Sequence, residues 1–436
     1  MARRAWGEGS VFFDNTHECW TWRGSYLLGE VKKTKTITAK KKIDLRKKIE
    51  IFKASIEAQN FEVEKFSVKE WCLKWLEVFI KPTKKQKTYE NYRERLAYVI
   101  DEIGDRNINE LTSLELQNVF NKMRMDGGKN KKGLAAETVN CARRYLKAAL
   151  KSAISNKLLS SNPVDGTKPQ RKEKREVAAL DEEQTLKLLE VCEKGDYIYW
   201  GVDNPKYMKK NIGIEYYIRS FYVLITLALA TGMRISELRG LNWDNVNFTK
   251  EFIQVKGQLV TSVDLGDIFD DPKTYKSNRK IKIDKTTITI LKTFRKYQKK
   301  YASILGNKYI NENNLVFTNT FGKPFNQNNF NRRYFRKMLG MAGISDKFTF
   351  HCLRHTHATL LLKNGVNIKV VSERLGHSSV MVTLDIYAHV LDSMEQTAAD
   401  VWGKITHRNF EEGREKLSNG ESVSSGPILS KNDRRT

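Results

Sequence analysis

A stretch rich in proline and charge, SNPVDGTKPQRKEKREVAAL at residues 161–180, divides the chain unevenly. It contains two prolines, a glycine and a run of charges but no apolar period, and this combination is typical of a linker. A chain of 436 residues also exceeds the size of one ordinary hydrophobic core. We therefore expect two or three separately folded domains on the two sides of this stretch.

The chain carries a large positive charge. Its 77 lysines and arginines exceed its 51 acidic residues, which gives a formal net charge of +26. Solubility does not require so much charge, and it indicates a polyanionic partner. DNA or RNA is the first candidate, because neutralising phosphates releases counterions. A basic surface also suits anionic membranes or ribosomal RNA, so charge alone does not separate these partners.

Neither a membrane-spanning segment nor an export signal is evident. No run of 18 or more apolar residues occurs, and no charged n-region precedes an apolar h-region. The five cysteines are scattered singly without a Cys-x-x-Cys pair, which indicates free thiols in a reducing cytoplasm and argues against a zinc knuckle. We therefore expect a soluble, unexported protein.

Residues 1–62 have the pattern of a small sheet followed by a helix. Short aromatic and β-branched runs alternate with glycine and asparagine turn signals, which predicts three strands, and KKKIDLRKKIEIFKASIEA has near-helical apolar spacing. Trp20, Trp22 and the lysine-rich segment 32–35 would suit a face that reads a nucleic-acid groove. Alternatively the aromatic side chains pack against the helix, and we expect this for most of them.

Residues 66–165 are helical in pattern. WCLKWLEVFI places Trp71, Trp75 and Phe79 four residues apart, which predicts one buried stripe, and further helices are expected around residues 92–103, 114–123 and 138–159. The loops KPTKKQKT and DGGKNKKG are basic and could contact a phosphate backbone. Each could equally be an ordinary solvated loop.

The part of the chain beyond the linker mixes helices with a few strands. We expect a helix at residues 181–192, strands in FIQVKGQLV and RKIKID, helices up to about residue 405, and a disordered tail at residues 406–436. An aromatic insertion at residues 195–215 has no evident function. The whole chain is thus predicted to be a multidomain, mainly α protein with a small N-terminal three-stranded β-sheet and a small β-sheet in its C-terminal domain.

The stretch HCLRHTHATLLLKNG crowds three of the seven histidines into residues 351–357. A metal site is disfavoured, because the Glu of HExxH is missing and His355 and His357 point in different directions on a helix. We therefore assign no metal and no cofactor. A second interpretation is a buried helix whose histidines bond to backbone, which we expect for His355 or His357.

A third interpretation is binding of an anion. His351 and Arg354 lie three residues apart, so an imidazole and a guanidinium can converge on one phosphate. In LALATGMRISELRGLNWDNV, Arg234 follows a Thr-Gly break and opens a new helix, and Glu237 one turn later can hold its guanidinium in one rotamer. The alternative for Arg234 is an exposed residue in a surface ion pair of little energetic value.

Three segments, ATGMRISELRGLNWDNV, HCLRHTHATLLL and SERLGHSSVMVTLDIYAHV, together resemble the catalytic signature of tyrosine recombinases, the phage integrase family. The N-terminal regions resemble the DNA-binding domains of its three-domain phage or conjugative-transposon integrases. The resemblance implies an arm-type DNA-binding domain at 1–62, a helical, SAM-like core-site domain at 66–165, a linker at 166–178 and a catalytic domain at 179–405.

The resemblance also assigns roles to individual residues. Lys276 competes with Lys273 for the place of the catalytic lysine in DPKTYKSNRKIKID. The implied catalytic residues are Arg234, Lys273, His351, Arg354, His377 and Tyr387.

The implied function is site-specific DNA recombination that integrates or excises a mobile element. The enzyme would cleave and rejoin DNA through a covalent 3′-phosphotyrosyl intermediate, which keeps the bond energy for rejoining without ATP or metal. A type IB topoisomerase-like enzyme and a non-catalytic DNA-binding regulator are the alternatives. The implied partners are double-stranded DNA with core and arm sites, three further copies in a homotetramer, an excisionase and a host DNA-bending protein. No membrane is implied, and the expected location is the bacterial cytoplasm at the nucleoid.

Overall fold

A computed structural model describes residues 9–28, 31–60, 66–128, 130–172, 178–198, 211–270, 278–392, 399–403 and 405–406. The chain divides into two compact units, residues 1–174 and 175–436. Of the predicted features, most of the 195–215 insertion, the segment with Lys273 and Lys276, and the tail from residue 407 lie outside the described residues. The division into arm, core-site, linker and catalytic regions stays a prediction.

The first unit begins with the predicted three-stranded sheet. Its antiparallel strands β1, β2 and β3 are neighbours in that order, and helix α1 follows. The bounds are β1 Ser10–Asp14, β2 Cys19–Leu28, β3 Val31–Ala39 and α1 Lys42–Asn60.

The aromatic side chains of β2 face the helix. Trp22 is buried with its ring 5.9 Å from that of Phe52 on α1, and the ammonium of Lys42 lies 4.6 Å from the Trp20 ring. Because a sheet this small needs the helix to bury its apolar face, Trp22 is unavailable for groove reading, and the alternative of packing against the helix is confirmed for it. Trp20 is only partly buried, and for Trp20 groove reading stays a prediction.

Four helices follow in the first unit and enclose their own core. A capping box between Ser67 and Glu70 starts the first of them, and the Trp71 indole donates to the Ala149 carbonyl over 2.8 Å. The bounds are α2 Val68–Trp75, α3 Gln86–Ile103, α4 Ser113–Asp126 and α5 Ala136–Ser155.

The predicted Trp71, Trp75 and Phe79 stripe is interrupted. Both tryptophans are buried, but Phe79 is 39% exposed, so its prediction as a core residue is wrong. Residues Leu76–Ile80 form a π-helical turn, whose i to i+5 hydrogen bonds make a wider turn than an α-helix. The buried positions there are Leu76 and Ile80 instead.

The first part of the proline-rich stretch packs against the helices. Residues Pro163–Gly166 form a 3₁₀ turn with Val164 fully buried. Ser113 donates to the Pro163 carbonyl over 2.6 Å, and Asn140 exchanges two hydrogen bonds with the backbone of Gln170. Residues 163–170 are therefore held on α4 and α5 and are not a free linker.

In its described residues, the second unit is mainly helical with two small sheets. Strands β4, β5 and β8 form an antiparallel sheet, while β6 and β7 form a separate hairpin. The sequence pattern predicted β5, β6 and β8 but not β7. The strand bounds are β4 Val246–Asn247, β5 Phe252–Val255, β6 Gln258–Ser262, β7 Gly266–Asp270 and β8 Arg279–Lys282.

The helices of the second unit surround its principal core. The helix expected from residue 181 begins one residue later, because Asp181 is its N-cap. The helix bounds are α6 Glu182–Lys194, α7 Ile212–Thr231, α8 Ile235–Arg239, α9 Lys285–Leu305, α10 Gln327–Asn329, α11 Arg336–Met341, α12 Phe350–Lys363, α13 Ile368–Leu375 and α14 Val380–Asp392.

Helix α7 is the one helix among the described residues that is long and apolar enough to span a membrane by length and composition. Its side chains Phe221, Leu224 and Leu227 are buried in the principal core of the second unit. A helix with its apolar side chains in a core passes the same test, and we interpret α7 as such a core helix.

Candidate active site

The turn between α7 and α8 presents Arg234. Gly232 ends α7 with a φ of +65°, and a Cβ atom there would lie 2.6 Å from the Leu375 side chain and 2.7 Å from that of His357. Arg234 is then the N-cap of α8. Its backbone N–H donates to Glu237 Oε2 over 2.9 Å and its Nη1 to Oε1 over 3.0 Å. The predicted support of Arg234 by Glu237 is therefore present in the structure.

Glu237 also pairs with a second arginine from strand β8. Nη1 and Nη2 of Arg279 donate to its two carboxylate oxygens over 3.0 and 2.9 Å, and Arg279 Nε donates to the Arg374 carbonyl over 2.8 Å. Burial acts to raise the pKa of Glu237, but the hydrogen bonds and charges of Arg279 and Arg234 outweigh it and lower that pKa. One ionised carboxylate thus orients two guanidinium groups.

Helix α12 carries His351 and Arg354 on one face. Arg354 is 3% exposed, and its Nη1 and Nη2 each donate over 2.8 Å, to the carbonyls of Gly232 and Leu375. These two bonds fix the guanidinium between the end of α7 and the end of α13. Partial desolvation, and then the positive charges of Arg354 and Arg234, lower the pKa of His351.

His377 follows the C-cap of α13. That cap is Gly376, with a φ of +69°, and His377 Nδ1 lies 2.8 Å from the hydroxyl of Thr383. Burial, and then the charges of Arg354 and Arg234, lower the pKa of His377 to about 4. The ring is therefore neutral at neutral pH, before any anion binds.

Tyr387 lies within α14 at a break in its helical geometry, with φ −115° and ψ 15°. It is 1% exposed, and its hydroxyl lies 2.8 Å from Nδ1 of His355. Burial raises the pKa of Tyr387 to about 12, although the Arg354 charge acts in the opposite direction. The phenol is consequently protonated at neutral pH.

The remaining histidine of the cluster has a structural environment. His357 Nδ1 donates to the Leu229 carbonyl over 2.6 Å, and its Nε2 accepts from Arg374 Nε over 3.0 Å. The interpretation of a buried histidine bonded to backbone is therefore correct for His357. His355 bonds to Tyr387 instead.

The structure brings most of the predicted site residues together in the second unit. The bonds of Arg354 join the segments that carry Arg234 and His377, and α12 carries His351. Lys273 and its competitor Lys276 lie outside the described residues. Within the part of the chain that is described, no group of three or more His, Cys, Asp or Glu side chains could hold a metal ion.

Sequence reasoning missed the contacts of Arg279 and His355. A signal for Arg279 exists in RKIKID, where Arg279 and Ile281 share one face of β8 by the two-residue period of a strand. Both are buried in the structure. No comparable sequence signal points to the bond between His355 and Tyr387.

Comparison with known proteins identifies two regions. Residues 178–394 match the phage integrase family, and residues 67–124 match the phage integrase N-terminal SAM-like domain. The chain is 28% identical over 344 residues to a XerC-like tyrosine recombinase of Caldanaerobacter subterraneus, covering 75% of this chain and 80% of the relative. It is 25% identical over 344 residues to the Tn916 transposase of Enterococcus faecalis, covering 77% of this chain and 76% of the relative.

A solved structure agrees with this grouping. The integrase of transposon Tn1549, in complex with transposon right end DNA, matches 76% of this chain and all of the solved chain, with a TM-score of 0.60 and 25% identity. The two family matches, the relatives and this fold lead to the same conclusion. The chain is a member of the phage integrase family of tyrosine recombinases, enzymes of site-specific recombination on DNA.

Proposed function

We propose that this recombinase cleaves and rejoins DNA at the attachment sites of a mobile element, with Tyr387 as its nucleophile. The observation that carries the proposal is the pair of 2.8 Å bonds from Arg354 to the Gly232 and Leu375 carbonyls. These bonds hold the segments before Arg234 and before His377 against one guanidinium. A single phosphate can therefore meet groups from all three segments.

The first task of these groups is to neutralise the scissile phosphate. Arg234 and Arg354 would bind the non-bridging oxygens, and His351 and His377 would donate further hydrogen bonds. A bound phosphate also supplies the negative charge that favours protonation of both imidazoles, whose pKa values are lowered in the structure.

The second task is the covalent exchange. The Tyr387 hydroxyl releases its proton to water and its oxygen attacks phosphorus, which forms the 3′-phosphotyrosyl bond and breaks the bond to the 5′-oxygen. We assign the proton for that departing oxygen to Lys273, with Lys276 as the competitor. Attack by a 5′-hydroxyl reverses the reaction, and the energy of the phosphodiester is conserved throughout.

The experiment is incubation of the full chain with a labelled duplex that carries the attachment core, followed by SDS. Wild-type protein should give a covalent adduct, and Tyr387→Phe should give none while binding the duplex within a few-fold. Adduct formation by Tyr387→Phe would place the nucleophile elsewhere. Adduct on unrelated duplexes at the same rate would favour the type IB topoisomerase-like alternative, and no adduct from wild type would favour the DNA-binding regulator.

We propose residues 1–62 for arm sites and residues 66–165, with the catalytic domain, for core sites on double-stranded DNA. The Tn1549 integrase complex with DNA supports the second assignment. A homotetramer on DNA, an excisionase, a host DNA-bending protein and a cytoplasmic, nucleoid-associated location complete the proposal. The family resemblance also implies that residues 393–405 dock on a neighbouring subunit. Residues 393–398 and 404 lie outside the described residues, and the side chains of Val401, Trp402 and Ile405 are exposed.

A further inference from the structure

His355 contacts the proposed nucleophile but has no role in the reaction described above. It follows Arg354 directly on α12, and its Nδ1 lies 2.8 Å from the Tyr387 hydroxyl. Its ring also meets that of His351 edge-on, with 4.9 Å between the ring centroids. The nucleophile is thereby tied to the helix that presents the phosphate-binding side chains.

The direction of this hydrogen bond depends on the charge states of the imidazole and the phenol and on the tautomer of the imidazole. Burial, and then the charges of His351 and Arg354, lower the pKa of His355 to about 4. The imidazole is therefore neutral at neutral pH, and the phenol is protonated because burial raises the pKa of Tyr387. A neutral imidazole carries its proton on one of its two nitrogens, and only the tautomer protonated at Nε2 leaves Nδ1 as an acceptor. We assign this tautomer to His355, so that Tyr387 Oη donates and His355 Nδ1 accepts.

The local backbone does not fix the position of Tyr387 by itself. Non-helical φ and ψ angles interrupt α14 at this residue, and its ring packs with Ala358, Leu362, Val371 and Leu375 in a small core separate from the principal one. Apolar packing is not directional, and it does not determine where a hydroxyl points. Among the described residues, the bond to His355 is the directional contact of Oη.

We propose that His355 is a positioning residue that holds the Tyr387 hydroxyl beside the phosphate-binding face of α12. This inference rests on the proposed role of Tyr387 as nucleophile. Without the bond, the tyrosine spends less time in the position from which it attacks. The bond exists only while Oη carries a proton, so the proposal concerns the cleavage step. In the covalent intermediate Oη is bonded to phosphorus and donates nothing.

The test compares His355→Leu with His355→Asn in the full chain. Asn places its carbonyl oxygen close to the position of Nδ1 and can accept the hydrogen bond, but it cannot take up a proton at neutral pH. Leu has a similar size and cannot accept. Single-turnover adduct formation at saturating core duplex should fall roughly tenfold to a hundredfold in the Leu variant. The Asn variant should stay within about threefold of wild type, since the acceptor is retained.

A second readout separates positioning from general damage to the site. Religation is measured from an adduct preformed on a nicked suicide duplex, by adding a strand with a 5′-hydroxyl. The Leu variant should religate within about threefold of wild type, because Oη has no proton to donate in the adduct. DNA affinity and melting temperature should match wild type. If Leu lowers the melting temperature, His355→Ala replaces it.

Three results would overturn the proposal. Cleavage by the Leu variant at the wild-type rate or faster would show that the bond does not assist attack. An Asn variant as slow as Leu would show that His355 acts as a proton acceptor or a charged group. An equal loss of cleavage and religation would show a general structural role. Failure of the proposed function is distinguishable, because Tyr387→Phe would then still form adduct.

Discussion

Glu237 accepts two hydrogen bonds from the guanidinium of Arg279, over 3.0 and 2.9 Å, with both side chains buried. The same carboxylate also accepts a hydrogen bond from Nη1 of Arg234. The orientation of Arg234, the first arginine of the proposed site, therefore depends on a β8 residue that belongs to no catalytic motif.

The first prediction concerns this buried pair. Glu237→Leu should lower the free energy of unfolding by about 3–5 kcal/mol, because it leaves the Arg279 charge buried and uncompensated. The double variant Glu237→Leu/Arg279→Met should regain most of that stability, since no unpaired charge remains. Cleavage should stay defective in both, because Arg234 has lost its partner.

Urea unfolding of wild type, both single variants and the double variant gives the coupling energy directly. If the two single losses add up in the double variant, the pair is not coupled, and the dependence of Arg234 on Arg279 is wrong.

The second prediction concerns acid stability. Burial, and then the Arg374 charge, lower the pKa of His357 to about 4, whereas a histidine in the unfolded chain titrates near 6.5. Between these two pKa values, His357 is thus protonated in the unfolded state but neutral in the folded state. This contribution is fully present above about pH 6.5 and is lost as the pH falls toward 4. Between pH 7.5 and 5 it should amount to roughly 2 kcal/mol.

His357→Asn is the matched variant, because its amide can still donate to the Leu229 carbonyl but does not titrate. The variant should be less stable than wild type at pH 7.5. Between pH 7.5 and pH 5, its free energy of unfolding should fall by roughly 2 kcal/mol less than that of wild type. Urea titrations at both pH values, monitored by hydrogen exchange in peptides from α12, measure this difference in stability. Equal pH dependence in both proteins would contradict the assignment.

The fold was predictable wherever a regular pattern persists along the chain. Aromatic and β-branched runs between turn signals predicted the N-terminal sheet, and helical spacing predicted the buried Trp71 and Trp75. The prediction of a buried Phe79 failed because a π-helical turn at Leu76–Ile80 changes the period locally. Apolar spacing alone does not indicate such a turn. Strand β7 was missed because GDIFD has too short an apolar alternation to stand out.

The site was predictable to the extent that its contacts are local or belong to the family signature. The pair of Arg234 and Glu237 is three residues apart, so helix geometry predicts it. Glu237 and Arg279 are 42 residues apart, and His355 and Tyr387 are 32 apart. Tertiary packing creates those contacts, and no period in one sequence encodes which distant side chains meet.

The third prediction concerns residues 1–62. Deleting them should remove protection of one class of DNA site while leaving protection of the core site, which we assign to residues 66–165 and the catalytic domain. The sheet and α1 enclose their own aromatic contacts, so their loss should leave the helical core of α2–α5 intact. Footprints of the full and truncated chains measure this. Identical footprints would mean that the region binds no separate arm site.

The last prediction concerns the general acid. If the Lys273 ammonium protonates the departing 5′-oxygen, Lys273→Ala should slow cleavage by roughly 10²- to 10⁴-fold, the usual contribution of a positioned acid. A duplex with sulfur in place of that oxygen releases a thiolate, which needs no proton because a thiol pKa is near 8.5. The sulfur duplex should therefore restore cleavage by Lys273→Ala.

The arginine variants provide the contrast, because their loss affects the non-bridging oxygens, which the sulfur leaves unchanged. Arg234→Ala and Arg354→Ala should gain little from the sulfur duplex. Lys276→Ala is the matched control, three residues away in the same segment. If sulfur rescues Lys276→Ala and not Lys273→Ala, the acid is Lys276. If it rescues neither, the proton comes from a histidine of the site, and His351 and His377 become the residues to test with the same substrate.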